Sequence, residues 1–236
     1  MTRDLSKDSF RSSDRGSPEP TWNEGPLDSR IKVTVFDCDG VLFDSREANV
    51  HFYNHVLEHV GRPAVRPEQE EFIHMHAVRD SLAFLIGPGP LLEKALDYCQ
   101  SFDFSRFNRY LKVEPGLEEL LAALRGRYHV VLATNRTVST RQLLADFNLE
   151  RFFDHLVTAA DVTHPKPHPE SMQRIMNRFS AEPREILFVG DSPVDEQLAR
   201  ATGVFFAAYK NPALQAHFHI QHFGRLKDLL VPETET

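Results

Sequence analysis

Two carboxylates separated by one residue end an apolar run near the start of the chain. Residues 33 to 43 read VTVFDCDGVLF, and the β-branched run stops at Asp37 and Asp39. Side chains alternate along an extended chain, so these two carboxylates point to the same side of it. Paired acids of this kind can act as a nucleophile and a proton-transfer group, or they can simply finish a strand or cap a helix. The rest of the sequence must decide between these interpretations.

Three further polar stretches each come at or after the end of an apolar run. They read ATNR at 133–136, HPKPHP at 164–169 and VGDSPVD at 189–195. Their candidate functional residues are Thr134, Asn135, Lys166, Asp191 and Asp195. Each stretch also has an ordinary explanation, as a turn, a solvated lysine or a helix N-terminus. Their order at the ends of successive predicted strands favours one shared site.

Side chains of these types could hydrolyse a phosphate ester. A phosphate monoester repels an anionic nucleophile, so a carboxylate attacks phosphorus only where positive charge lies close. A divalent cation supplies that charge and orients the phosphoryl group, and Mg²⁺ prefers oxygen ligands. Asp37 and Asp191 would provide such ligands. Asp195 lies across the start of a helix from Asp191 and can bind the ion or its waters.

Short β-branched runs alternate with helical patterns after residue 30. The runs predict strands at 31–36, 128–134, 155–159, 185–190 and 203–209. Between them, apolar residues repeat at helical spacing. This alternation predicts an α/β fold with a parallel sheet and helices on both faces. In such sheets ligands bind outside the carboxyl ends of the strands, where the four polar stretches lie.

One long stretch interrupts the alternation. Residues 46 to 112 carry helix signals and no convincing strand, and they directly follow the first predicted strand. An insertion at this place lies above the carboxyl end of that strand and can act as a lid. The predicted parts are a disordered tail over 1–30, an α/β core over 31–45 and 113–236, and a helical cap over 46–112.

The stretches FDCDG, ATNR, HPKPHP and VGDSPVD, in this order, form the motif set of the haloacid dehalogenase-like superfamily. The chain resembles the phosphatase branch of that family over about residues 31 to 230. Its helical insertion is similar to the cap of phosphoglycolate phosphatases and β-phosphoglucomutases. The resemblance implies a Rossmann-like, doubly wound parallel sheet with an inserted α-helical cap. It also implies a phosphoric monoester hydrolase that works through an aspartyl-phosphate.

The resemblance assigns catalytic and substrate-binding roles to the motif residues. Asp37 is the expected nucleophile. Asp39 is expected to protonate the leaving alkoxide and then to deprotonate the attacking water. Thr134 is expected to donate to a phosphate oxygen, and Lys166 to supply a fixed positive charge. Asn135 is expected to bind substrate or to help place the region around Asp37.

The resemblance also implies Mg²⁺ as the cofactor. Its expected ligands are Asp37, Asp191, Asp195 and the backbone carbonyl of Asp39. Arg136 stands where a lysine or a small residue is common in the family. Its guanidinium is expected either to contact phosphate or to pair with a surface acid.

Composition narrows the classes of partner and the compartment. The chain has 236 residues and a formal net charge of −7, which disfavours nonspecific binding to nucleic acid or to anionic membrane. Its longest apolar runs fall far short of the roughly 20 residues that a membrane span needs. Cys38 and Cys99 lie far apart in the sequence, so we expect no disulfide and a reducing, cytoplasmic compartment.

Two groups of histidines have spacings that can bind a metal. They are His51, His55 and His59, and His217, His219 and His222. No cysteine or carboxylate completes the first group, and the second lies away from the four motifs in sequence. Neither group is predicted to bind an ion.

The sequence therefore predicts a Mg²⁺-dependent phosphatase for a small phosphorylated metabolite, such as a phosphoglycolate-like ester or a sugar phosphate. A phosphomutase of the β-phosphoglucomutase type is an alternative, because it would keep both Asp37 and Asp39. A haloacid dehalogenase is disfavoured, because it would need neither Asp39 as an acid nor the metal-binding carboxylates. A non-catalytic binding or scaffold module is a further alternative, and it predicts loss of a catalytic position. The oligomeric state and the cap residues that contact substrate stay open.

Overall fold

A computed structural model describes residues 30–76, 78–102, 104–136 and 140–232. The tail predicted over 1–30 lies outside these residues except for Arg30. Across the described residues, the structure contains no helix that is both long and apolar enough to cross a membrane.

Six parallel strands form the central sheet, in the spatial order β5-β4-β1-β6-β7-β8. The strands are β1 (Val33–Phe36), β4 (His129–Ala133), β5 (His155–Val157), β6 (Ile186–Gly190), β7 (Phe205–Tyr209) and β8 (Phe218–Ile220). β1 pairs in parallel with β4 on one side and with β6 on the other. All four β1 residues are buried, as expected for a strand covered on both faces.

Helices cover both faces of this sheet, which confirms the predicted fold class. They are α5 (Leu117–Leu124), α6 (Thr140–Asp146), α7 (Glu170–Phe179), α8 (Pro193–Thr202) and α9 (Phe223–Leu230). Phe36 points to the face that packs against α5, α6 and α9. Val33 and Val35 point to the opposite face, against α7 and α8. The period of two in β1 thus divides its side chains between two apolar cores.

A helical insertion separates β1 from the rest of the sheet strands. It contains α1 (Arg46–His59), α2 (Glu70–Met75), α3 (Val78–Ile86) and α4 (Pro90–Ser101), with 3₁₀ turns at Pro67–Gln69 and Phe104–Tyr110. These helices share an apolar cluster of their own, which includes Phe52, Val56, Ile73 and Leu82. A short antiparallel pair, β2 (Phe43–Asp44) and β3 (Lys112–Val113), lies where the chain enters and leaves the insertion. The limits of the helical cap at residues 46 and 112 remain a prediction from the sequence.

The sequence patterns missed several elements. No separate helix was predicted at α3, and no strand at β2, β3 or β8. The strands among these have two or three residues each, so they are too short to show a period. Gly87 and Gly89 both have positive φ angles and lie in the turn that links α3 to α4.

Candidate active site

Three carboxylates meet at the carboxyl edge of the sheet. Asp37 follows β1, Asp191 follows β6, and Asp195 lies in the first turn of α8. One carboxylate oxygen from each lies within 4.8 Å of the others. The backbone amide of Asp37 donates to the Val189 carbonyl at 2.9 Å, which ties the end of β1 to β6. The parallel order of neighbouring strands thus brings together residues that are more than 150 positions apart.

The ammonium of Lys166 lies between two of these carboxylates. Its Nζ is 2.7 Å from Asp37 Oδ1 and 2.8 Å from Asp195 Oδ1. The side chains of Lys166 and Asp195 are 3% and 0% exposed, so this ion pair is shielded from water. The alternative of a solvated loop lysine is therefore wrong for Lys166.

Burial and mutual repulsion shift the pKa values of the acidic cluster. Burial raises the pKa of Asp37 to about 7. The positive charge of Lys166 opposes this rise, and the negative charge of Asp195 adds to it. Burial and then the charges of Asp195 and Asp37 raise the pKa of Asp191 well above its ordinary value. Burial disfavours the charged form of Lys166, but Asp195 and Asp37 outweigh it and raise the pKa of that ammonium. The cluster therefore holds more negative charge than one lysine neutralises, which favours a bound cation.

Asp39 does not face the same partners as Asp37. Its Oδ2 accepts from Nε of Arg136 at 2.8 Å, and its buried Oδ1 has no hydrogen-bond partner among the described residues. Arg136 was expected at a phosphate or beside a surface acid, and the structure instead pairs it with an acid of the site itself. Cys38, between the two acids, is fully buried, and burial raises the pKa of its thiol well above the ordinary value. A packing role for Cys38 agrees with that position.

Asn135 holds the segment that carries Lys166. Its Nδ2 donates to the Lys166 carbonyl at 3.0 Å, and its Oδ1 accepts from the Lys166 amide at 2.9 Å. Both amide atoms of Asn135 are thereby used on the backbone of one residue. Thr134 is buried, and its Oγ1 accepts from the Arg136 amide at 3.1 Å. As an acceptor there, the hydroxyl keeps its own proton to donate elsewhere.

The start of α8 explains how Asp195 is oriented. Ser192 caps the helix by accepting from the Asp195 amide, and Asp195 Oδ2 in return accepts from the amide and hydroxyl of Ser192. This is a reciprocal capping box, and the spacing of Ser192 and Asp195 could have predicted it. Asp195 therefore caps the helix through Oδ2, while its other oxygen, Oδ1, accepts from Lys166 in the acidic cluster.

Gly40 leaves the space that the Asp191 carboxylate occupies. The φ angle of Gly40 is +75°, and a Cβ atom at this position would lie 1.9 Å from Asp191 Oδ2. Glycine is therefore required for two reasons, the left-handed backbone and the close approach of a carboxylate. Asn211 donates from Nδ2 to the Asp191 carbonyl at 2.8 Å and fixes the loop from the other side.

A residue of the insertion also reaches the site. His74 in α2 places Nε2 4.0 Å from Asp191 Oδ2, and its Nδ1 lies 3.2 Å from Nδ2 of Asn49 in α1. Burial and the charge of Arg46 lower the pKa of His74. No local sequence pattern distinguishes His74 from the other histidines of the chain.

A cavity of about 340 Å³ opens beside Asp191 between the insertion and the core. Its charged lining residues are Asp44, Arg46, Glu71, Glu114, Asp191 and Lys210. Arg46 pairs with Glu71 at 3.2 Å, and Lys210 pairs with the buried Glu114 at 2.6 Å. The space has the size of a small polar molecule, and charges of both signs surround it.

The two histidine groups named from the sequence are used for packing and hydrogen bonds. His51 stacks on Tyr110 and His59 on Tyr98, while His55 contacts the Tyr98 hydroxyl. The C-terminal group makes backbone contacts: His217 accepts from the Phe206 amide, His219 lies 3.0 Å from the Leu214 carbonyl, and His222 caps α9. Neither group forms a cluster of metal-ligand atoms within the described residues.

Known proteins are similar to this chain in sequence and in fold. The family model of haloacid dehalogenase-like hydrolases matches residues 34–209. A structure from Geobacter sulfurreducens, described as a HAD-superfamily hydrolase, subfamily IA, variant 1, is 40% identical. It covers 85% of this chain and 97% of its own, with a TM-score of 0.72.

Pyrophosphatase PpaX of Bacillus velezensis is 29% identical over 192 residues, which is 75% of this chain and 82% of that protein. A β-phosphoglucomutase structure from Clostridium difficile shares the fold at 16% identity, covering 85% of this chain and 97% of its own with a TM-score of 0.67.

Proposed function

The chain belongs to the haloacid dehalogenase-like hydrolase family and is a phosphatase of that family. From that premise we propose that it hydrolyses a small phosphorylated metabolite with Mg²⁺, through a phosphoryl group carried on Asp37. The observation that supports this most is the buried cluster in which Asp37, Asp191 and Asp195 meet with Lys166.

Asp37 is the nucleophile in this proposal. Lys166 contacts its Oδ1, and we assign attack on phosphorus to its other oxygen. The bond from phosphorus to the leaving oxygen breaks as the carboxylate–phosphorus bond forms. Burial raises the pKa of Asp37 to about 7, so a nearby cation is needed to keep the carboxylate ionised near neutral pH.

Asp39 moves the protons. Its buried Oδ1, without a hydrogen-bond partner among the described residues, is the oxygen that we assign to this task. It gives a proton to the leaving oxygen in the first step and takes one from the attacking water in the second. Arg136 holds the opposite oxygen, Oδ2, and thereby fixes the direction in which Oδ1 points.

The donor set fits Mg²⁺. Asp37 and Asp191 offer carboxylate oxygens, and Asp195 lies within 4.8 Å of both, with its two oxygens also held by Lys166 and Ser192. The backbone carbonyl of Asp39 is the fourth ligand we propose. An all-oxygen set with at least two carboxylates is the kind that Mg²⁺ prefers. When bound, the ion would neutralise charge on the phosphoryl group and orient it.

Thr134 and Lys166 are the proposed phosphate-binding residues. The Thr134 hydroxyl keeps a proton to donate to a phosphate oxygen, because its lone pair already accepts from Arg136 N. Lys166 supplies a positive charge that Asn135 fixes in place through both backbone groups of the lysine. We therefore assign Asn135 a positioning role and not a direct contact with substrate.

The cavity beside Asp191 supports a small, polar substrate. Its volume of about 340 Å³ leaves no room for a folded protein, and Arg46 and Lys210 line it together with four carboxylates. Inorganic pyrophosphate is a second candidate substrate, because the 29% identical relative from Bacillus velezensis is a pyrophosphatase. The phosphomutase alternative is consistent with the presence of both Asp37 and Asp39, and a β-phosphoglucomutase structure shares the fold at 16% identity.

A substrate panel tests this proposal. The protein is assayed with Mg²⁺ on small phosphate esters, sugar phosphates and pyrophosphate, with Asp37→Asn as the matched control. We expect phosphate release that a chelator stops and that Asp37→Asn nearly abolishes. An activated ester given to Asp39→Asn should leave a phosphoryl group on the protein, detectable by mass spectrometry, because hydrolysis of the intermediate is slowed. Release by Asp37→Asn at the wild-type rate would refute the mechanism, transfer to a second sugar hydroxyl would favour a phosphomutase, and no turnover on any ester would favour the scaffold alternative.

A further inference from the structure

A second group of metal-ligand atoms lies outside the acidic cluster. His164, His168 and Glu170 each place one ligand atom within 4.8 Å of the others. The rings of the two histidines have centroids 4.5 Å apart, and His164 Nδ1 is 3.4 Å from Glu170 Oε2. We propose that these three residues bind one divalent transition-metal cation, of which Zn²⁺ is the representative.

The ligand chemistry separates this site from the acidic cluster. Two imidazoles and one carboxylate suit Zn²⁺, Ni²⁺ or Cu²⁺, whereas the oxygen-only cluster suits Mg²⁺. Three protein ligands leave the remaining coordination positions to water, as in open zinc sites. The two sites therefore differ in the ion that they prefer, and variants of the histidines separate their occupancy.

Glu170 is held in place before any ion arrives. Its carboxylate accepts from the backbone amides of Thr163 and His164 at 3.0–3.1 Å, and Arg174 Nη2 lies 3.4 Å from Oε1. These hydrogen bonds lower the pKa of Glu170 to about 2, which keeps the carboxylate ionised. Three N–H donors (Thr163 N, His164 N and Arg174 Nη2) contact a carboxylate whose two oxygens offer about four lone pairs, so one acceptor position stays open to an ion.

The two histidines are accessible. The side chain of His164 is 63% exposed, and His168 is exposed as well. His168 Nδ1 accepts weakly from the Glu170 amide at 3.3 Å. A cation can therefore reach both rings from solvent without opening the core.

The site lies on the segment that carries Lys166. His164 and His168 stand two positions before and two positions after this lysine, and Glu170 begins α7. An ion bound to all three ties the two ends of the segment together. Binding should therefore stabilise the folded chain, since it adds a link that the unfolded chain lacks.

Calorimetric titration with Zn²⁺ in excess Mg²⁺ tests the proposal, with His164→Gln/His168→Gln as the variant. We expect the wild-type protein to bind one more equivalent of Zn²⁺ than the variant. The control His51→Gln/His59→Gln, which removes two exposed rings from α1, should bind as the wild type does. Zn²⁺ displacing Mg²⁺ at the acidic cluster contributes equally to all three proteins and cancels in the comparison.

The affinity of the single variants for Zn²⁺ and the spectrum of bound Co²⁺ test the same three ligands. Each single variant, His164→Gln and His168→Gln, should weaken binding of the extra Zn²⁺ by at least about tenfold, because loss of a partner that merely orients a ligand already costs about 10- to 100-fold. With Co²⁺ as the probe, the visible absorption bands of imidazole coordination should appear in the wild type and be absent from the double variant. Equal stoichiometry and affinity in the wild type and the double variant would overturn the proposal. These readouts do not depend on hydrolysis, so they stand or fall separately from the proposed phosphatase activity.

Discussion

Arg136 Nε lies 2.8 Å from Asp39 Oδ2, although 97 positions separate the two residues in the sequence. The arginine follows β4 and the acid follows β1, and these strands are neighbours in the sheet. Burial disfavours the charge on Arg136, but Asp39 and its neighbours raise the pKa of the guanidinium. The pair therefore fixes the acid that we propose for proton transfer.

Arg136→Met should reduce kcat by roughly 10- to 100-fold, because a carboxylate displaced by about 1 Å transfers protons poorly. The matched control is Arg151→Met, whose guanidinium pairs with Glu118 at 3.4 Å between two side chains that are more than half exposed. That control should keep the wild-type kcat. Steady-state kinetics on the preferred substrate measures both. Equal kcat in the two variants would show that Arg136 does not position Asp39.

Lys166→Met should destabilise the protein strongly in a chelator. It removes a buried cation between Asp37 and Asp195, and losing one partner of a buried pair typically costs about 3–5 kcal/mol of unfolding free energy. Added Mg²⁺ should restore part of this loss, because the ion replaces the missing positive charge. Urea denaturation with and without Mg²⁺ measures both effects.

Lys112→Met is the control for that change, since its pair with Glu47 is exposed at both ends. We expect this variant to unfold as the wild type does, with no dependence on Mg²⁺ beyond the wild-type response. If the two lysine variants lost the same stability, the bridge through Lys166 would not stabilise the core.

Gly40→Ala should remove most of the activity. Its new methyl group would occupy the space of Asp191 Oδ2, so the carboxylate must move, and we expect a loss of roughly 100-fold in kcat/KM. Gly126→Ala provides the comparison, because Gly126 has a similar φ of +77° and no atom within 4 Å of the added Cβ. Both variants should lose on the order of 1–2 kcal/mol of stability from the left-handed backbone. Activity assays should separate them, and equal activity would contradict the assigned contact.

The contribution of Asp37 to the stability of the metal-free protein should fall as pH rises from about 4 toward 7. The pKa of Asp37 is raised from 3.8 to about 7 in the folded chain, so within this window the folded state holds a proton that the unfolded state has released. Because only the folded state binds this proton within the window, the free energy of unfolding falls as pH rises. The loss is complete above about pH 7. The raised pKa of Asp191 acts in the same direction.

Asp37→Asn should flatten this dependence, because asparagine does not titrate. Mg²⁺ should act in the opposite sense and stabilise more at higher pH, since ion binding needs ionised carboxylates. Urea unfolding in a chelator and in Mg²⁺, at a series of pH values across the window, provides the measurement. A wild-type slope that persisted in Asp37→Asn would exclude Asp37 as its source.

Local pattern was enough to place the acids. β1, β4, β6 and β7 are nearly continuous apolar runs of four or five residues, with Thr34 inside β1 and His129 at the start of β4, and such runs predict buried parallel strands. Residues that follow these strands must gather at one edge of the sheet, so Asp37 and Asp191 could be brought together without coordinates. The sequence also indicated Lys166 as a candidate site residue, but it did not predict that this side chain is buried.

The tertiary structure decided which partner each polar group takes. Arg136 pairs with Asp39, Asn135 with the backbone of Lys166, and His74 approaches Asp191. These contacts depend on strand register and on how the insertion packs over the sheet, and neither is encoded in a window of a few residues. Short strands such as β8 were missed for the same reason, because only pairing with a neighbour makes three residues a strand. The sequence by itself therefore determined the set of chemical groups and the edge at which they meet, because strand period and direction are local. Only the fold determined their pairing, because each contact joins segments brought together by long-range packing.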